Sequence, residues 1–540
     1  MKLKIKNEIL EFDKPVYLKD LVKNYEGTYY ACLVNNRLRE LSYRVSYDAE
    51  IVFLDYSFYD STRIYATSMR FLVCMAAYRI YPDIQIKFSN SISMGIFGRA
   101  INSTITKDML ENIMNEMNKI ISEDLDITRK QISISEASQY YQSLGYIDKV
   151  ETLKYRKENV NIYKCDNYKN YMYGYMVPST GYLKDYEIHY LNPGFLIQYP
   201  RREEKGEIPE FSDSPKFFNV LNKSENWAQE LGVDMIYKMN KCIETCDIQK
   251  FVNTCEKRHD DQLDELSDLI INRKNIRLIA IAGPSSSGKT TFSKRLELTL
   301  RSKGLEPLMI SIDNYYLPVS KAPLDEFGKP DLEHIESLDI DLFNQNMEDL
   351  IAGKKTSLPY YDFMVKERRM SEPFAITENM PIIIEGIHAL NNEMSKKISP
   401  EKKFKIYISP FTQINIDNNN PINLTDLRLL RRIVRDLQFR STTPEETLDM
   451  WPSVRRGEYR WIYPHIENAD YIFNSELTYE FAVLKVFAEN ALKHIEKGAP
   501  HFIQANRLLK FLKYFNSIDA SYVPKNSLLR EFIGGSIFTD

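Results

Sequence analysis

Long uninterrupted apolar runs are missing from this sequence. No stretch of about 18 uncharged apolar residues occurs in the 540 residues, and a helix needs roughly that many to cross a bilayer. The first residues, MKLKIKNEIL, alternate basic and apolar side chains, whereas a secretory leader contains a continuous apolar segment. We therefore expect a cytoplasmic protein that makes no contact with a membrane.

Cysteine and excess positive charge are also scarce. Six cysteines in a chain of this length are too few for a disulfide framework, so we interpret them as reduced thiols. The formal net charge of −4 provides no bulk basic surface for nucleic acid. We expect a homo-oligomer with a small-molecule substrate, and nucleic acid only through a local site in the N-terminal half.

The chain is too long for one ordinary core, and its patterning divides it into several parts. Residues 1–60 contain short alternating strands, and residues 61–200 mix helices with strands. Residues 201–273 open on a charged, proline-rich linker and continue as helix. Residues 274–497 alternate apolar strands with helices, which predicts a doubly wound α/β domain with a parallel sheet. Residues 498–540 form a helical extension.

The segment IAIAGPSSSGKTTF carries a phosphate-loop pattern between an apolar strand and an amphipathic helix. In such a loop, glycines let backbone N–H groups close around the phosphates of ATP at a helix N-terminus. Lys289 would add positive charge and the Thr290 hydroxyl could ligate Mg²⁺. The predicted nucleotide-binding residues are Gly283, Pro284, Ser285, Ser286, Ser287, Gly288, Lys289, Thr290 and Thr291.

Two carboxylates follow predicted strands of the same domain. Asp313 comes just after MISI, at the edge where open α/β sheets bind ligands. It could accept the proton of an acceptor hydroxyl, or it could only cap a turn. Glu385 ends the strand PIIIE, where a carboxylate could reach Mg²⁺ or serve structure alone.

An arginine-rich helix is predicted downstream, in LRLLRRIVRDLQFR. Arg428, Arg431, Arg432 and Arg435 fall at helical spacing, and Arg440 follows. Such a run is typical of a solvated helix face. After a phosphate loop, it also fits a lid whose guanidinium groups neutralise a transferring phosphoryl group.

A second metal hypothesis concerns two pairs of potential ligands. Cys242, Cys246, Cys255 and His259 are paired at i, i+4 spacing, and two adjacent helices could bring them around one zinc ion. The usual C-x-x-C spacing is missing, so buried cysteines on helix faces are the competing interpretation.

Residues 274–497 resemble the uridine kinase and phosphoribulokinase family of P-loop kinases. The segments GPSSSGKTTF, DNYY, DLEHIESLDIDLF, LPYYDF, IIIEGIHAL and LRRIVRD occur in the family's order. The resemblance implies that Asp313 is the catalytic base and that Lys289 assists it. It also implies ATP and Mg²⁺ as cofactors. The substrate side would be formed by Tyr315, Glu333, Tyr361, Lys366, Arg435 and Arg440.

The match to the family weakens where the acceptor is recognised. Glu333 stands where uridine kinases usually have an Asp, Lys366 where they have a His, and Met450 where they have a Gln. Phosphoryl transfer to a sugar hydroxyl is therefore better supported than any one sugar. The 5′-hydroxyl of a nucleoside is our first hypothesis. The alternatives are a phosphoribulokinase-like sugar-phosphate kinase and a non-catalytic P-loop regulator whose N-terminal half binds RNA or a nucleotide.

The first 200 residues resemble the N-terminal half of threonyl-tRNA synthetase, through RIYP, VPSTGYLK and GFLIQYP. The resemblance implies a β-grasp domain of the TGS type followed by the second additional, editing-like α+β domain. The ligand positions of the synthetase editing site fall on Thr67, Phe71, Met172 and Met176, which do not bind zinc. We therefore expect a scaffold without editing chemistry. The tyrosine-rich YMYGYMV segment would pack in the core or present stacking surfaces to a base.

Overall fold

The first 54 residues fold around a small mixed sheet. The computed structural model describes residues 1–89, 91–362, 367–412 and 414–538. The sheet has the order β2-β1-β7-β4-β5, with β1 and β7 parallel. Alternating buried side chains on β1 and β7 form its core with the short helix α1. The elements are β1 Lys2–Ile5, β2 Glu8–Glu11, β3 Val16–Tyr17, α1 Leu18–Val22, β4 Ala31–Val34, β5 Arg37–Glu40, β6 Arg44–Val45 and β7 Ala49–Leu54.

The next unit is built around one long buried helix, α2. It is buried on nearly all faces because helix α3 and an antiparallel sheet of order β13-β14-β9-β8 cover it. A smaller antiparallel sheet, β10-β11-β12, lies beside them. The elements are α2 Tyr59–Ile80, β8 Ile86–Phe88, β9 Ile96–Ala100, α3 Lys107–Ser122, β10 Thr128–Ile132, α4 Ile134–Ser143, α5 Ile147–Leu153, β11 Val160–Cys165, β12 Tyr168–Asn170, β13 Glu187–Leu191 and β14 Gly194–Gln198.

Three helices lead into the C-terminal half after an irregular segment at residues 199–214. They are α6 Pro215–Glu230, α7 Ile236–Thr245 and α8 Ile248–Asn272. Val252 and Leu266 of α8 pack in the same hydrophobic core as Ile279 of the following strand. The helix α8 therefore packs against the sheet of the C-terminal half.

A parallel five-stranded sheet is the centre of the C-terminal half, as the apolar strand patterns predict. Its order is β16-β19-β15-β20-β23 and every neighbouring pair is parallel. The central strand β15 is buried along its whole length because helices cover both faces. The elements are β15 Leu278–Ala282, α9 Lys289–Ser302, β16 Leu308–Ser311, α10 Ile340–Ile351, β17 Pro359–Asp362, β18 Glu367–Met370, β19 Ile382–Glu385, β20 Lys403–Ser409, β21 Asn415–Asp417, β22 Asn420–Pro421, α11 Leu424–Phe439, α12 Pro444–Gly457, β23 Tyr471–Asn474, α13 Glu480–Leu492, α14 Phe502–Leu512 and α15 Arg530–Ile533.

The C-terminal helices pack on the same core. Leu508 of α14 and Phe532 of α15 belong to one hydrophobic cluster with Ile279 of β15. The physical reason is that the apolar faces of these helices complete the helical layer over the sheet. Among the described residues, no helix is both long and apolar enough to span a membrane.

Candidate active site

The phosphate loop lies between the carboxyl end of β15 and the N-terminus of α9. Gly288 precedes the helix with φ 87°, a left-handed conformation that glycine adopts without strain. A Cβ atom on Gly283 would lie 2.1 Å from the carbonyl oxygen of Ile408, so only glycine fits there. The loop thus places the free N–H groups of a helix N-terminus at the edge of the sheet, where an anion binds favourably.

Arginines of α11 hold the loop from behind. Arg428 Nη1 donates to the carbonyl oxygen of Ser285 at 3.3 Å, and Arg431 Nη1 donates to those of Ser286 and Ser287 at 3.4 Å each. Arg428 is paired with Glu458 and Arg431 with Glu480, in both cases out of contact with solvent. These bonds fix the loop through its carbonyl oxygens and leave the opposite side of the loop to its N–H groups.

The arginine run is therefore neither a solvated face nor, at these two positions, a mobile lid. Arg432 Nη1 donates to Ser285 Oγ at 2.8 Å. Arg435 donates to Asp436 Oδ1 through Nε and Nη2, at 2.9 and 2.7 Å. Arg440 is the accessible member of the run, with 58% of its side chain exposed and only a 3.8 Å contact with Asp436.

The lysine and threonines of the loop occupy the start of α9. Lys289 Nζ donates to the carbonyl oxygens of Gly283 and Pro284, at 2.9 and 3.3 Å. The Thr290 side chain is half-exposed. The N–H of Thr291 donates to Glu531 Oε2 of α15 at 3.1 Å, so a carboxylate of the C-terminal segment occupies the anion-binding end of this helix.

Asp313 and Glu385 lie at the same sheet edge, because β16 and β19 are neighbouring strands with Ser311 opposite Glu385. Ser311 Oγ donates to Glu385 Oε1 at 3.1 Å. Burial and the charge of Asp313 raise the pKa of Glu385 to about 7. Desolvation in the cleft raises the pKa of Asp313, while the charges of Lys289 and Arg440 oppose the rise. Two like charges therefore share one cleft with Lys289.

Glu333 is a third carboxylate near the loop. Burial and the charge of Glu458 raise its pKa to about 7, whereas Arg432 and Lys289 lower it. A Cβ atom on Gly457 would lie 2.4 Å from the Glu333 Cβ, so glycine at this position leaves room for the glutamate.

Tyr315 is a correction to the expected substrate residues. Its side chain is 0% exposed, its ring lies edge-on to Phe343 at 5.0 Å, and its hydroxyl accepts from Asn346 Nδ2 at 3.0 Å. The strand turns into a short helical segment over residues 312–315, which directs this ring into the core. Burial and the charges of Asp313 and Glu333 raise the pKa of the neighbouring, half-buried Tyr316.

The side chains of two further expected substrate residues are outside the described part of the structure. Tyr361 belongs to β17, and its side chain is outside the described part of the structure. Lys366 lies outside the described residues altogether.

The four potential zinc ligands of the helical segment do not converge. His259 Nε2 is 2.9 Å from the carbonyl oxygen of Glu476, and burial lowers the pKa of this imidazole to about 3. Cys255 is buried while Cys246 is exposed. Within the described ranges, no group of three or more His, Cys, Asp or Glu side chains is arranged to hold a metal ion.

Glu531, Glu458 and Ser311 are residues that the sequence analysis did not assign to the site. Glu531 is 240 residues from its bonding partner, and no local motif links the two. Ser311 could have been found from the sequence, since it stands at the strand end two residues before Asp313.

Comparison with known proteins matches this half of the chain. Residues 278–481 match the model described as the Phosphoribulokinase / Uridine kinase family. A protein named Uridine kinase from Borrelia hermsii (strain HS1 / DAH) is 32% identical over 198 residues, covering 36% of this chain and 85% of the relative. A Uridine kinase from Macrococcus caseolyticus (strain JCSC5402) is 32% identical over 196 residues, covering 36% of this chain and 86% of the relative.

A solved structure called a possible uridine kinase from Bacillus stearothermophilus is also similar. It has 19% sequence identity and a TM-score of 0.28, and the match covers 40% of this chain and 98% of the other. The N-terminal half lies outside the family match. Through residues 278–481, the chain belongs to the phosphoribulokinase and uridine kinase family.

Proposed function

We propose that this protein transfers the γ-phosphoryl group of ATP to the 5′-hydroxyl of a nucleoside. The observation that carries the proposal is the meeting of Asp313, Glu385 and Lys289 in one cleft at the phosphate loop. A phosphate loop alone fits many nucleotide-dependent proteins, whereas a carboxylate base beside it fits phosphoryl transfer to a hydroxyl. The printed names of the relatives support a nucleoside as acceptor.

The loop residues would bind and orient the triphosphate. Lys289, which now donates to two loop carbonyls, would turn its ammonium group to the phosphate oxygens. The N–H groups from Ser286 to Thr291 would surround the phosphates at the start of α9. The bonds from α11 to the loop carbonyls would keep the loop in this shape before ATP arrives, so little reorganisation is needed.

Thr290 and Glu385 fit a magnesium site. Burial and the charge of Asp313 raise the pKa of Glu385, and a divalent cation is a favourable partner for a buried carboxylate beside a second one. Bound Mg²⁺ would neutralise negative charge on the β- and γ-phosphate oxygens. The remaining ligands would be phosphate oxygens and water.

Asp313 would act as the general base. It is exposed at the end of β16, where a sugar hydroxyl can approach the γ-phosphate from the open side of the sheet. Its carboxylate would accept the hydroxyl proton as the oxygen–phosphorus bond forms and the bond to the β-phosphate oxygen breaks. Glu333 would accept hydrogen bonds from sugar hydroxyls, while Arg435 and Arg440 would lie near the transferring group.

The acceptor is tested by offering a panel of nucleosides and sugar phosphates with ATP and Mg²⁺ and detecting products by mass spectrometry. We expect a nucleoside 5′-monophosphate and stoichiometric ADP. Phosphorylation of a sugar phosphate alone would replace the nucleoside with the phosphoribulokinase-like alternative. ATP binding without any phosphorylated product would favour the non-catalytic regulator.

The synthetase-like organisation of residues 1–200 stays part of this proposal, with residues 1–60 as a TGS-like domain. Thr67, Phe71, Met172 and Met176 are all buried, which supports a packed scaffold without editing chemistry. The five predicted domain ranges, the cytoplasmic location and the homo-oligomer also stay predictions.

A further inference from the structure

A large cavity lies between the N-terminal half and the phosphate-loop domain. Its volume is about 1640 Å³, whereas a pocket for one small molecule measures about 300–1,000 Å³. Arg70 and Tyr175 of the first half line it together with Trp451 and Lys510 of the second. Lys289, Asp313 and Glu385 are not among its lining residues, so this space is separate from the proposed kinase site.

The lining of the cavity is basic. Fifteen Lys and Arg side chains contribute to it against six Asp and Glu, although the whole chain has a formal net charge of −4. Four of the fifteen cations are paired with Glu40, Glu458 or Glu489, which do not line the cavity, so an excess of positive charge remains. Asp426 illustrates the imbalance, because it accepts two bonds from Arg507 at 2.6 and 2.9 Å and also lies 3.7 Å from Arg63. A concentration of cations in a concave space attracts a polyanion.

Arg70 is a buried cation of this lining. The residue is 8% exposed, and its guanidinium donates to the Asn419 carbonyl oxygen at 3.0 Å and to Thr67 Oγ1 at 3.2 Å. Among the described residues, no carboxylate forms an ion pair with it, and the charge of Asp417 acts on it only from a distance. A buried charge without a direct ionic partner is costly, and a bound phosphate would lower that cost.

Arg156 is a half-buried cation of the same lining. Its guanidinium lies 5.1 Å from the ring centre of Tyr171 and 5.8 Å from that of Tyr514, and its Nη1 donates to the Tyr514 hydroxyl at 3.4 Å. In the part of the chain that the structure describes, it too has no carboxylate in an ion pair, and the charge of Glu158 acts on it from a distance. Arg70 belongs to α2 and Arg156 to the loop between α5 and β11, and arginines from separate segments favour a ligand carrying more than one phosphate.

Aromatic rings are interleaved with these cations. Tyr175 is half-buried, and the Arg129 guanidinium lies 5.0 Å from its ring centre. Tyr155, Tyr173 and Tyr459 also line the cavity and are half-buried. Cations that bind a phosphate backbone, alternating with rings on which bases stack, are the combination found in sites for single-stranded nucleic acid.

We propose that this cavity binds a single-stranded oligonucleotide, with phosphates at Arg70 and Arg156 and with bases stacked on tyrosines such as Tyr175. The size of the cavity and the separation of its arginines favour an oligonucleotide over a single nucleotide. The aromatic rings favour it over an acidic peptide.

The binding test uses the full chain and a fluorescein-labelled RNA of about six nucleotides, a length within the range of single-strand sites. Fluorescence anisotropy is measured between about 50 and 200 mM salt, and we expect affinity to fall linearly on a log–log scale. Unlabelled RNA, DNA of the same sequence, a nucleoside monophosphate and inorganic tripolyphosphate serve as competitors. The relative affinities of RNA and DNA show which type of nucleic acid the cavity prefers, and displacement of the labelled RNA by either supports the proposal.

Charge at the cavity is tested with Lys157→Gln/Lys510→Gln, because both lysines are exposed and line the cavity. We expect the slope of log affinity against log salt concentration to become shallower by about 1.4, since each lost phosphate contact with a single strand contributes about 0.7 to that slope. Lys396→Gln/Lys397→Gln removes the same charge outside the cavity and should change nothing.

Stacking and the buried site are tested with two further variants. Tyr175→Leu should weaken RNA binding by about 5- to 150-fold with an unchanged salt slope. Arg70→Gln should weaken it as well, and its circular dichroism spectrum reports whether the buried change disturbs folding. If Arg70→Gln does disturb folding, the Lys157→Gln/Lys510→Gln variant still tests the proposal.

Four outcomes would overturn the proposal. The first is that neither RNA nor DNA shows saturable binding at the lowest salt, and the second is that the cavity and control lysine variants have equal effects. The third is that tripolyphosphate or a mononucleotide displaces the labelled RNA as effectively as unlabelled RNA does at equal phosphate concentration, and the fourth is loss of binding in Lys289→Ala. The last result would place the RNA at the phosphate loop. The proposed kinase activity is measured separately, so its failure leaves this test unaffected.

Discussion

Neighbouring residues at the cleft differ in role, because some place a charged group in the cleft while others pack in the hydrophobic core. Asp313 and Tyr315 are two residues apart in DNYY, yet the first is exposed and the second is fully buried. The difference arises because the strand β16 ends in a short helical turn, which sends successive side chains in directions that strand alternation does not predict. The strand end in the sequence predicted that Asp313 lies at the sheet edge, whereas no local pattern indicated where the tyrosine ring would lie.

Asp313→Asn should lower the turnover number by about 10² or more, the scale of a lost general base. ATP binding should be nearly unchanged, because the phosphates would be held by the loop and Lys289. Turnover by quenched flow and ATP affinity by calorimetry check the two expectations. Asp341→Asn, at an exposed position on α10, is the matched control, and normal turnover of Asp313→Asn would remove the base assignment.

Glu333 should make acceptor use depend on pH. With a pKa of about 7, its side chain is mostly protonated below that pH and ionised above it. Only the ionised form accepts hydrogen bonds through both oxygens, so kcat/KM for the acceptor should rise between about pH 6 and pH 8. Measurement at saturating ATP and Mg²⁺ isolates the acceptor step. Glu333→Gln should lose this rise and keep its affinity for ATP, and an unchanged profile would contradict the assignment.

At the scale of elements, the sequence predicted which segments form the sheet better than it predicted what the arginine helix does. The five buried strands are apolar runs of four to seven residues, and such runs are typical of a parallel sheet covered on both faces. The partners of Arg428 and Arg431 are 30 and 49 residues away, so spacing along the helix could not reveal that they are buried. Their pairing turns α11 into a support for the phosphate loop.

The short helix α15 should compete with the nucleotide. Glu531 accepts from the Thr291 N–H, one of the donors that the phosphates of ATP would use. Glu531→Ala should therefore tighten ATP binding by about 5-fold, which corresponds to a net hydrogen bond of about 1 kcal/mol. Calorimetry measures the affinity, and Glu496→Ala is a control at an exposed glutamate between α13 and α14.

Weaker ATP binding in Glu531→Ala would mean that this carboxylate stabilises the loop for the nucleotide instead of blocking it. Leu528 of the same segment packs directly on the loop, since a Cβ on Gly288 would lie 2.4 Å from its Cδ2 atom. The two directions of change distinguish competition from support.

At the scale of the whole molecule, the two halves share buried polar contacts. The hairpin of β21 and β22 belongs to the phosphate-loop half, but Asn419 Nδ2 donates to the Ile86 carbonyl oxygen at 2.9 Å and Asn415 Nδ2 to that of Phe88 at 2.7 Å. Asn419 lies in the polar run DNNNP, and Asn415 precedes that run by two residues. Composition predicts a solvated turn there, so no local pattern indicates this junction between residues more than 300 positions apart.

Lys149 and Asp417 are the ionic centre of that junction. Lys149 Nζ lies 3.1 Å from Asp417 Oδ1, and the two side chains are 2% and 1% exposed. Asp417 also accepts from Asn420 Nδ2 at 2.9 and 2.8 Å. The pair therefore joins the two halves in an environment where neither charge is hydrated.

Asp417→Ala should lower the free energy of unfolding by about 3–5 kcal/mol, because it leaves Lys149 as an unpaired buried charge. Urea denaturation checks this with two probes. All three tryptophans lie after residue 226 and report on the second half, while far-ultraviolet circular dichroism reports on both. Since the lost pair joins the halves, both signals should shift together.

The control variant Glu50→Ala breaks the exposed pair of Lys4 and Glu50, each 59% exposed, and should lower the free energy of unfolding by less than about 1 kcal/mol. A tryptophan transition that stays at its wild-type midpoint in Asp417→Ala would show that the halves unfold independently.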